Sequence, residues 1–216
     1  MRIGVLADTH VGEHLPTLPP EVLERFDGVD LIIHAGDVVV PRVLDELGEV
    51  APVAAVRGNH DGGALRRLPL GLVVPAGRFR IGVTHGMRRR AIEMPSTLLS
   101  VAAGRPVLLG FARQMVGRFT DVDMVITGHL HLGFDHVVDG VRHFSPGAVL
   151  VNEMLEGRVP TTGPVSWAYR RYRRGIPDAD RVPSIGFVEA RPDGLAARRE
   201  PLERPIAVQR RPRRAA

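Results

Sequence analysis

The chain has 216 residues, 44% of them apolar and 25% charged, which suits one large domain with a sizeable core and excludes a disordered chain by composition. It contains no cysteine, so disulfides and thiolate metal sites are excluded. The formal net charge is +5, and all 29 basic residues are arginine. Residues 1–150 carry 15 arginines against 16 acids, while residues 151–216 carry 14 against 8, so the positive excess lies in the last third. Its end, 206–216, is expected to be a basic, disordered tail, a weak pointer to nucleic acid. No basic region precedes a separate apolar segment and no apolar run could span a bilayer, so a cytoplasmic protein without membrane association is expected.

In chain order, residues 3–7 (IGVLA) read as a buried strand and 19–26 as a helix beginning on proline. A second strand is expected at 30–34, a helix at 41–47 and a third strand at 52–56. Strands alternating with short helices indicate a sheet with parallel pairing. From residue 72 the rhythm changes. Strands are expected at 72–74 and 78–84, another at 123–127, and a hairpin at 134–144 around the turn Asp139-Gly140. A last hairpin runs over 184–201 around Asp193-Gly194, and this second half predicts another sheet packed on the first. Between them, 86–120 reads as a helical insert, in which Leu108, Phe111, Met115 and Phe119 recur at helical spacing and are expected to pack. Residues 157–183 read as a long irregular insert.

Polar residues of one kind gather where the expected strands end. Asp8 and His10 follow the first strand, Asp37 the second, and Asn59, His60 and Asp61 the third. His85 ends the strand at 78–84, and His129 and His131 end the one at 123–127. Any one cluster has an ordinary reading as a turn or cap. All five in order, each at a strand end, point to one crevice at the carboxyl edge of the sheets. Two aspartates, an asparagine and four histidines offer oxygen and imidazole donors, a set suited to Mn²⁺, Fe²⁺, Zn²⁺, Ni²⁺ or Co²⁺. Seven ligands exceed the needs of one tetrahedral ion and imply two, which together activate a bridging hydroxide for in-line phosphoryl displacement.

Asp8-x-His10, Gly36-Asp37, Gly58-Asn59-His60-Asp61, His85 and Gly128-His129-x-His131 resemble, in order, the motif set of calcineurin-like metallophosphoesterases. The short chain and Ser145-Pro146-Gly147 are similar to the small bacterial and archaeal phosphodiesterase branch. The resemblance covers about residues 1–150 and the strand near 184–190, and implies a four-layer α/β/β/α sandwich over 1–205. It makes Asp8, His10 and His131 ligands of one metal and Asn59, His85 and His129 ligands of the other, with Asp37 bridging. Mn²⁺ is the first choice of ion. His60 corresponds to the histidine that gives a proton to the leaving oxygen, and Asp61 reads as a turn or supporting group. Ala148 stands where family members often have serine, which removes a hydroxyl role there. Arg88, Arg89 and Arg90 follow His85 and are candidate phosphate contacts.

The expected activity is hydrolysis of a small-molecule phosphate ester, most naturally a phosphodiester, with nucleotides among the candidate substrates. A phosphomonoesterase, a dinucleoside polyphosphate hydrolase or a nuclease are the enzymatic alternatives. The alternative of another kind is a non-catalytic protein-binding scaffold resembling the retromer small subunit. Oligomerisation is left open.

Overall fold

The computed structural model describes residues 1–151, 154, 163–204 and 206–208. Of the tail expected at 206–216, residues 206–208 are described and Ile206 and Val208 pack against a buried apolar cluster, which corrects the expectation of disorder there, while 209–216 lie outside the described residues. Two five-stranded sheets carry the fold. The first has the order β10-β9-β1-β2-β3, from β1 (Arg2–Leu6), β2 (Leu31–His34), β3 (Val53–Ala55), β9 (Ser184–Arg191) and β10 (Gly194–Pro201). The second runs β4-β5-β6-β8-β7, from β4 (Gly71–Ala76), β5 (Phe79–Thr84), β6 (Met124–Ile126), β7 (Gly133–Val138) and β8 (Val141–Pro146). Each is mixed. β1, β2 and β3 are parallel to one another, as are β5, β6 and β8, while β9, β10, β4 and β7 run antiparallel to their neighbours.

Side-chain alternation explains the layering, since successive residues of a strand face opposite sides. Ile3 and Val5 of β1, Ile33 of β2 and Val188 of β9 meet Ile81, Val83, Met124 and Ile126 in a core between the sheets. Their neighbours Leu6, Ile32 and Phe187 face the other way, onto α1 (Pro20–Phe26) and α2 (Arg42–Gly48) through Val22, Phe26, Val43 and Leu47. Val125, flanked by two residues of the inter-sheet core, turns outward to Phe111 and Met115 of α4 (Phe111–Val116). The four-layer α/β/β/α sandwich is thus present. Leu108 and Phe119 flank α4 and join Phe111 and Met115 in that outer cluster, as their spacing predicts. No helix among the described residues is long and apolar enough to cross a membrane.

Two expectations need correction. The hairpin at 184–201 belongs to the first sheet, where β9 pairs antiparallel with β1. Its residues from Ser184 to Val188 are buried, which requires a central strand covered on both faces. The segment 157–183, expected to be irregular, contains α5 (Pro164–Arg174) and a 3₁₀ turn over Asp178–Arg181. Gly163, with φ of 91°, and Pro164 at the first turn start α5, a signal obscured by the glycine and proline content around it. The insert after β5 consists of α3 (Arg90–Ala103) and α4, and α3 packs on α5.

His143 in β8 is fully buried and hydrogen-bonded through Nε2 to Thr127 Oγ1 at 3.0 Å. Burial, reinforced by His136, lowers its pKa from 6.5 to about 3. Between these values the ring is charged only in the unfolded chain, so its contribution to stability is present above pH 6.5 and lost as pH falls towards 3. The slope is at most about 1.4 kcal/mol per pH unit. Urea unfolding of the wild type and His143→Gln, at neutral pH and at about pH 5, is expected to show a shallower acid loss in the variant.

Candidate active site

The carboxyl ends of five parallel strands, three in one sheet and two in the other, deliver the polar residues to one place. Asp8 and His10 follow β1, Asp37 follows β2, Asn59 and His60 follow β3, His85 follows β5, and His129 and His131 follow β6. The chain leaves these strands in an unusual way. Asp8, His10, Asp37, His129 and His131 are five of the nine non-glycine residues at positive φ among the described residues. Each such conformation costs on the order of 1–3 kcal/mol and persists only where the surroundings hold it.

Backbone hydrogen bonds across the loops supply that hold. Asp8 N–H donates to Gly36 O at 3.0 Å and His10 N–H to Asp37 O at 3.1 Å. Asp61, buried, accepts the N–H groups of Gly58, Asp37 and Val39 at 2.7, 3.1 and 2.7 Å. It therefore ties the β2 and β3 loops together, the supporting role read for it in the sequence. Gly58 allows the close approach of those loops, because a Cβ there would lie 2.1 Å from Asp37 Oδ1. Gly36, at φ of 93°, lies under His85, whose Nδ1 would be 2.6 Å from an added Cβ.

Two of the donor groups share Asp8, and a third, His10, Asp37 and His60, overlaps both. Asp8, His10 and His131 each offer an atom within 4.8 Å of the others, and so do Asp8, Asp37 and His85. Asp37 Oδ2 lies 3.5 Å from His10 Nε2 and 3.3 Å from His85 Nε2. Asn59 Oδ1 stands 3.1 Å from His85 Nε2 and 3.0 Å from His129 Nδ1, which extends the second group. His131 Nε2 is 3.4 Å from Asp8 Oδ1. His85 Nδ1 lies 2.8 Å from Ala35 O, so Nδ1–H donates to it and Nε2 faces the carboxylates.

Charge in this cluster alternates. Burial opposes ionisation of Asp37, but the hydrogen bond and charge of His85 outweigh it and hold the carboxyl well below its ordinary value. Asp8 is likewise lowered, since His131 overcomes the cost of burial. Burial works against a charged His85 too, yet Asp37 and Asp8 raise it to about 9. His131 is raised by Asp8 against its burial. His10 and His129 are lowered, by burial first and then by the charge of His131 and His85 respectively. His10 Nε2 is buried without a hydrogen-bond partner. Imidazole nitrogen and carboxylate oxygen crowded together, with His10 Nε2 and His131 Nδ1 unsatisfied, fit divalent cations.

All seven candidate ligands are thus brought together. His60 sits beside them, its ring centroid 4.7 Å from that of His10 and its side chain 39% exposed. The three arginines part company. Arg88 turns inward, its side chain 1% exposed, and pairs with Glu93 Oε2 at 2.8 Å and Leu108 O at 2.7 Å, whereas Arg89 and Arg90 are exposed. Ser145 donates to Leu132 O at 2.8 Å, a structural bond. Two carboxylates escape the sequence reading. Glu13 Oε2 lies 2.8 Å from His60 Nδ1 and 3.2 Å from His10 Nδ1, and Glu93 Oε1 lies 3.0 Å from His129 Nε2. The (i, i+3) spacing of His10 and Glu13 is the only local signal for either.

Comparison with known proteins agrees with this geometry. The model of the calcineurin-like phosphoesterase superfamily domain matches residues 1–160. The chain belongs to that superfamily. A probable metallophosphoesterase of Methanocaldococcus jannaschii is 34% identical over 151 residues, 70% of this chain and 69% of the relative. One from Methanothermobacter thermautotrophicus is 29% identical over 160 residues, 74% of this chain and 83% of the relative. Among solved structures, an archaeal phosphodiesterase superimposes with a TM-score of 0.57 at 23% identity, covering 94% of this chain and all (100%) of its own. Vacuolar Protein Sorting 29 of Cryptosporidium parvum gives 0.60 at 17% identity, covering 94% and 98%. At these identities the likeness is one of fold.

The glycine at 58 provides a test of this calcineurin-like site. In Gly58→Ala the added methyl would meet Asp37 Oδ1, so the carboxylate must move. Mn²⁺ affinity, followed by calorimetry, is expected to fall at least tenfold, about 1.4 kcal/mol. Unchanged affinity would show that the Gly58–Asp37 approach does not set the site.

Proposed function

We propose that this calcineurin-like protein hydrolyses phosphodiesters with two divalent cations, Mn²⁺ foremost. Asp8, His10 and His131 would hold one ion, Asn59, His85 and His129 the other, and Asp37 both. The observation that carries this reading is Asp37 Oδ2, a single oxygen within 3.5 Å of His10 Nε2 and 3.3 Å of His85 Nε2, one ring from each donor group. Ions held there supply Lewis acidity towards a phosphoryl group and a nucleophile from water at neutral pH.

The chain's own residues do the rest. His85 Nδ1–H on Ala35 O and His129 Nε2 against Glu93 fix two rings and their tautomers. His60, exposed at the rim, protonates the oxygen of the departing alcohol. Glu13 at 2.8 Å accepts Nδ1–H of His60, orients the ring and leaves Nε2 to carry the transferred proton. A diester bears one negative charge, and the pairing of Arg88 with Glu93 suits it better than a dianionic monoester that would call for a free guanidinium. The archaeal phosphodiesterase of the same fold supports the same choice.

Two variants test this. Asp37→Ala is expected to lose metal from both positions and nearly all activity, and full stoichiometric metal by elemental analysis would refute the shared ligand. His60→Ala should keep its metal and barely slow a nitrophenyl diester, whose leaving group departs unaided. On a diester with an alkoxide leaving group it should cost about 10²–10⁴-fold. Equal losses on both substrates would remove His60 from proton transfer, and a preference for monoesters or dinucleoside polyphosphates in the wild type would redirect the reaction.

A further inference from the structure

A cavity of about 320 Å³ opens between α3, α5 and the stretch 106–108, lined among others by Ser96, Ser100, Val101, Val107, Leu108 and Ala168. Its volume is at the lower end of the roughly 300–1,000 Å³ typical of small-molecule sites. Arg88, Glu93 and Leu130 also line it. Glu93 is the link to the ligand cluster. One of its carboxylate oxygens lies 3.0 Å from His129 Nε2 and the other 2.8 Å from Arg88 Nη2. Leu130 sits in sequence between His129 and His131. The cavity and His129 are thus separated by the width of one carboxylate.

The chemistry of the walls says what such a cavity can hold. Three of the lining hydroxyls are spent on the backbone: Ser96 on Val107 O, Thr97 on Glu93 O at 3.0 Å, and Ser100 on Ser96 O at 2.7 Å. Ser100 Oγ also accepts Val107 N–H at 2.9 Å. These bonds turn three polar side chains into aliphatic wall. Arg88 keeps one buried Nε–H without a hydrogen-bond partner, a donor for a single ligand oxygen. A nucleobase edge needs several matched donors and acceptors, whereas a hydrocarbon chain needs only to leave water. Arg171 joins the two helices, donating from Nε to Val101 O at 3.0 Å and from Nη2 to Ala102 O at 2.9 Å, so α5 is clamped onto α3. The same two helices leave Met94, Leu98 and Trp167 exposed at 46%, 65% and 57%.

We propose that this cavity binds an alkyl or acyl chain carried by one ester oxygen of the substrate, so that the phosphodiester is amphiphilic. The proposal rests on the phosphodiesterase reading and names its substrate class. A series of n-alkyl p-nitrophenyl phosphodiesters, methyl to octyl, tests it with the Mn²⁺-loaded protein, alongside calorimetric binding of the matching n-alkyl phosphates. Each methylene is worth about 0.8 kcal/mol when buried, so kcat/KM and affinity are expected to rise roughly fourfold per carbon until the cavity is full. Ala168→Trp, or Val101→Phe should the first variant not fold, fills the cavity and is expected to flatten both series.

A flat series in the wild type overturns the proposal while leaving the phosphodiesterase reading intact. So does a slope that persists in the filled variant, or a higher kcat/KM for the p-nitrophenyl ester of thymidine 5′-phosphate than for the octyl diester. If no diester is hydrolysed, yet octyl phosphate binds far more tightly than methyl phosphate and the filled variant abolishes the difference, the chain site stands and the phosphodiesterase reading falls.

Discussion

Two carboxylates that cannot be left alone govern this structure. The side chains of Asp8 and Asp37 are 0% and 3% exposed, and an uncompensated charge at that depth is strongly disfavoured. Without a cation the compensation comes from His85, raised to about 9 by Asp37 and Asp8, and from His131, raised by Asp8, so the charged form of both rings is favoured beside the two carboxylates. His10 and His129, lowered, stay neutral beside them. The cluster holds positive charge in protons at the places where divalent ions would supply it. The scaffold follows from that need. Parallel strands put their carboxyl ends side by side, left-handed turns after β1, β2 and β6 bring the donors together, and Asp61 and Gly58 bind the second and third loops into one wall.

The same arrangement divides the site into a buried floor and an open rim. Asp8, His10, Asp37 and His85 form the floor, while Asn59 and His60 are exposed and His129 and His131 half-buried. A substrate can therefore reach the donors from one side, where His60 and Glu13 stand together. On the other side the helical insert adds Glu93, Arg88 and the cavity beneath α5. Shared fold with Vacuolar Protein Sorting 29 of Cryptosporidium parvum carries no decision about activity. What bears on the proposal is that the seven candidate ligands converge on one place in this chain.

Much of this was legible in the sequence because it is written locally. Buried strands such as β1 announce themselves as apolar runs, the Asp139-Gly140 turn marks its hairpin, and the ligand motifs sit where strands stop. The parts that escaped depend on distant partners. Nothing within the Ser184–Arg191 stretch says that it pairs with β1 rather than extending the second sheet, since only the burial of its first five residues distinguishes the two. The helix α5 is masked by glycine, proline and a run of arginines, whose charge is absorbed by contacts such as Arg171 on α3. Arg88, Arg89 and Arg90 look alike in sequence, but the start of α3 sends the first inward to Glu93 and the next two to solvent. Glu93 itself meets His129 across 36 residues, a separation that no spacing rule reads.

The central claim is that one Asp37-centred cluster exchanges protons for two cations. Titrating Mn²⁺ into the metal-free protein by calorimetry, in buffers of different ionisation enthalpy at about pH 7.5, measures ion count and proton release together. Two ions per chain are expected, with net release of protons, because His85, raised to about 9, must give up its proton to bind metal. A single ion per chain, or two ions bound with no proton released, would contradict it.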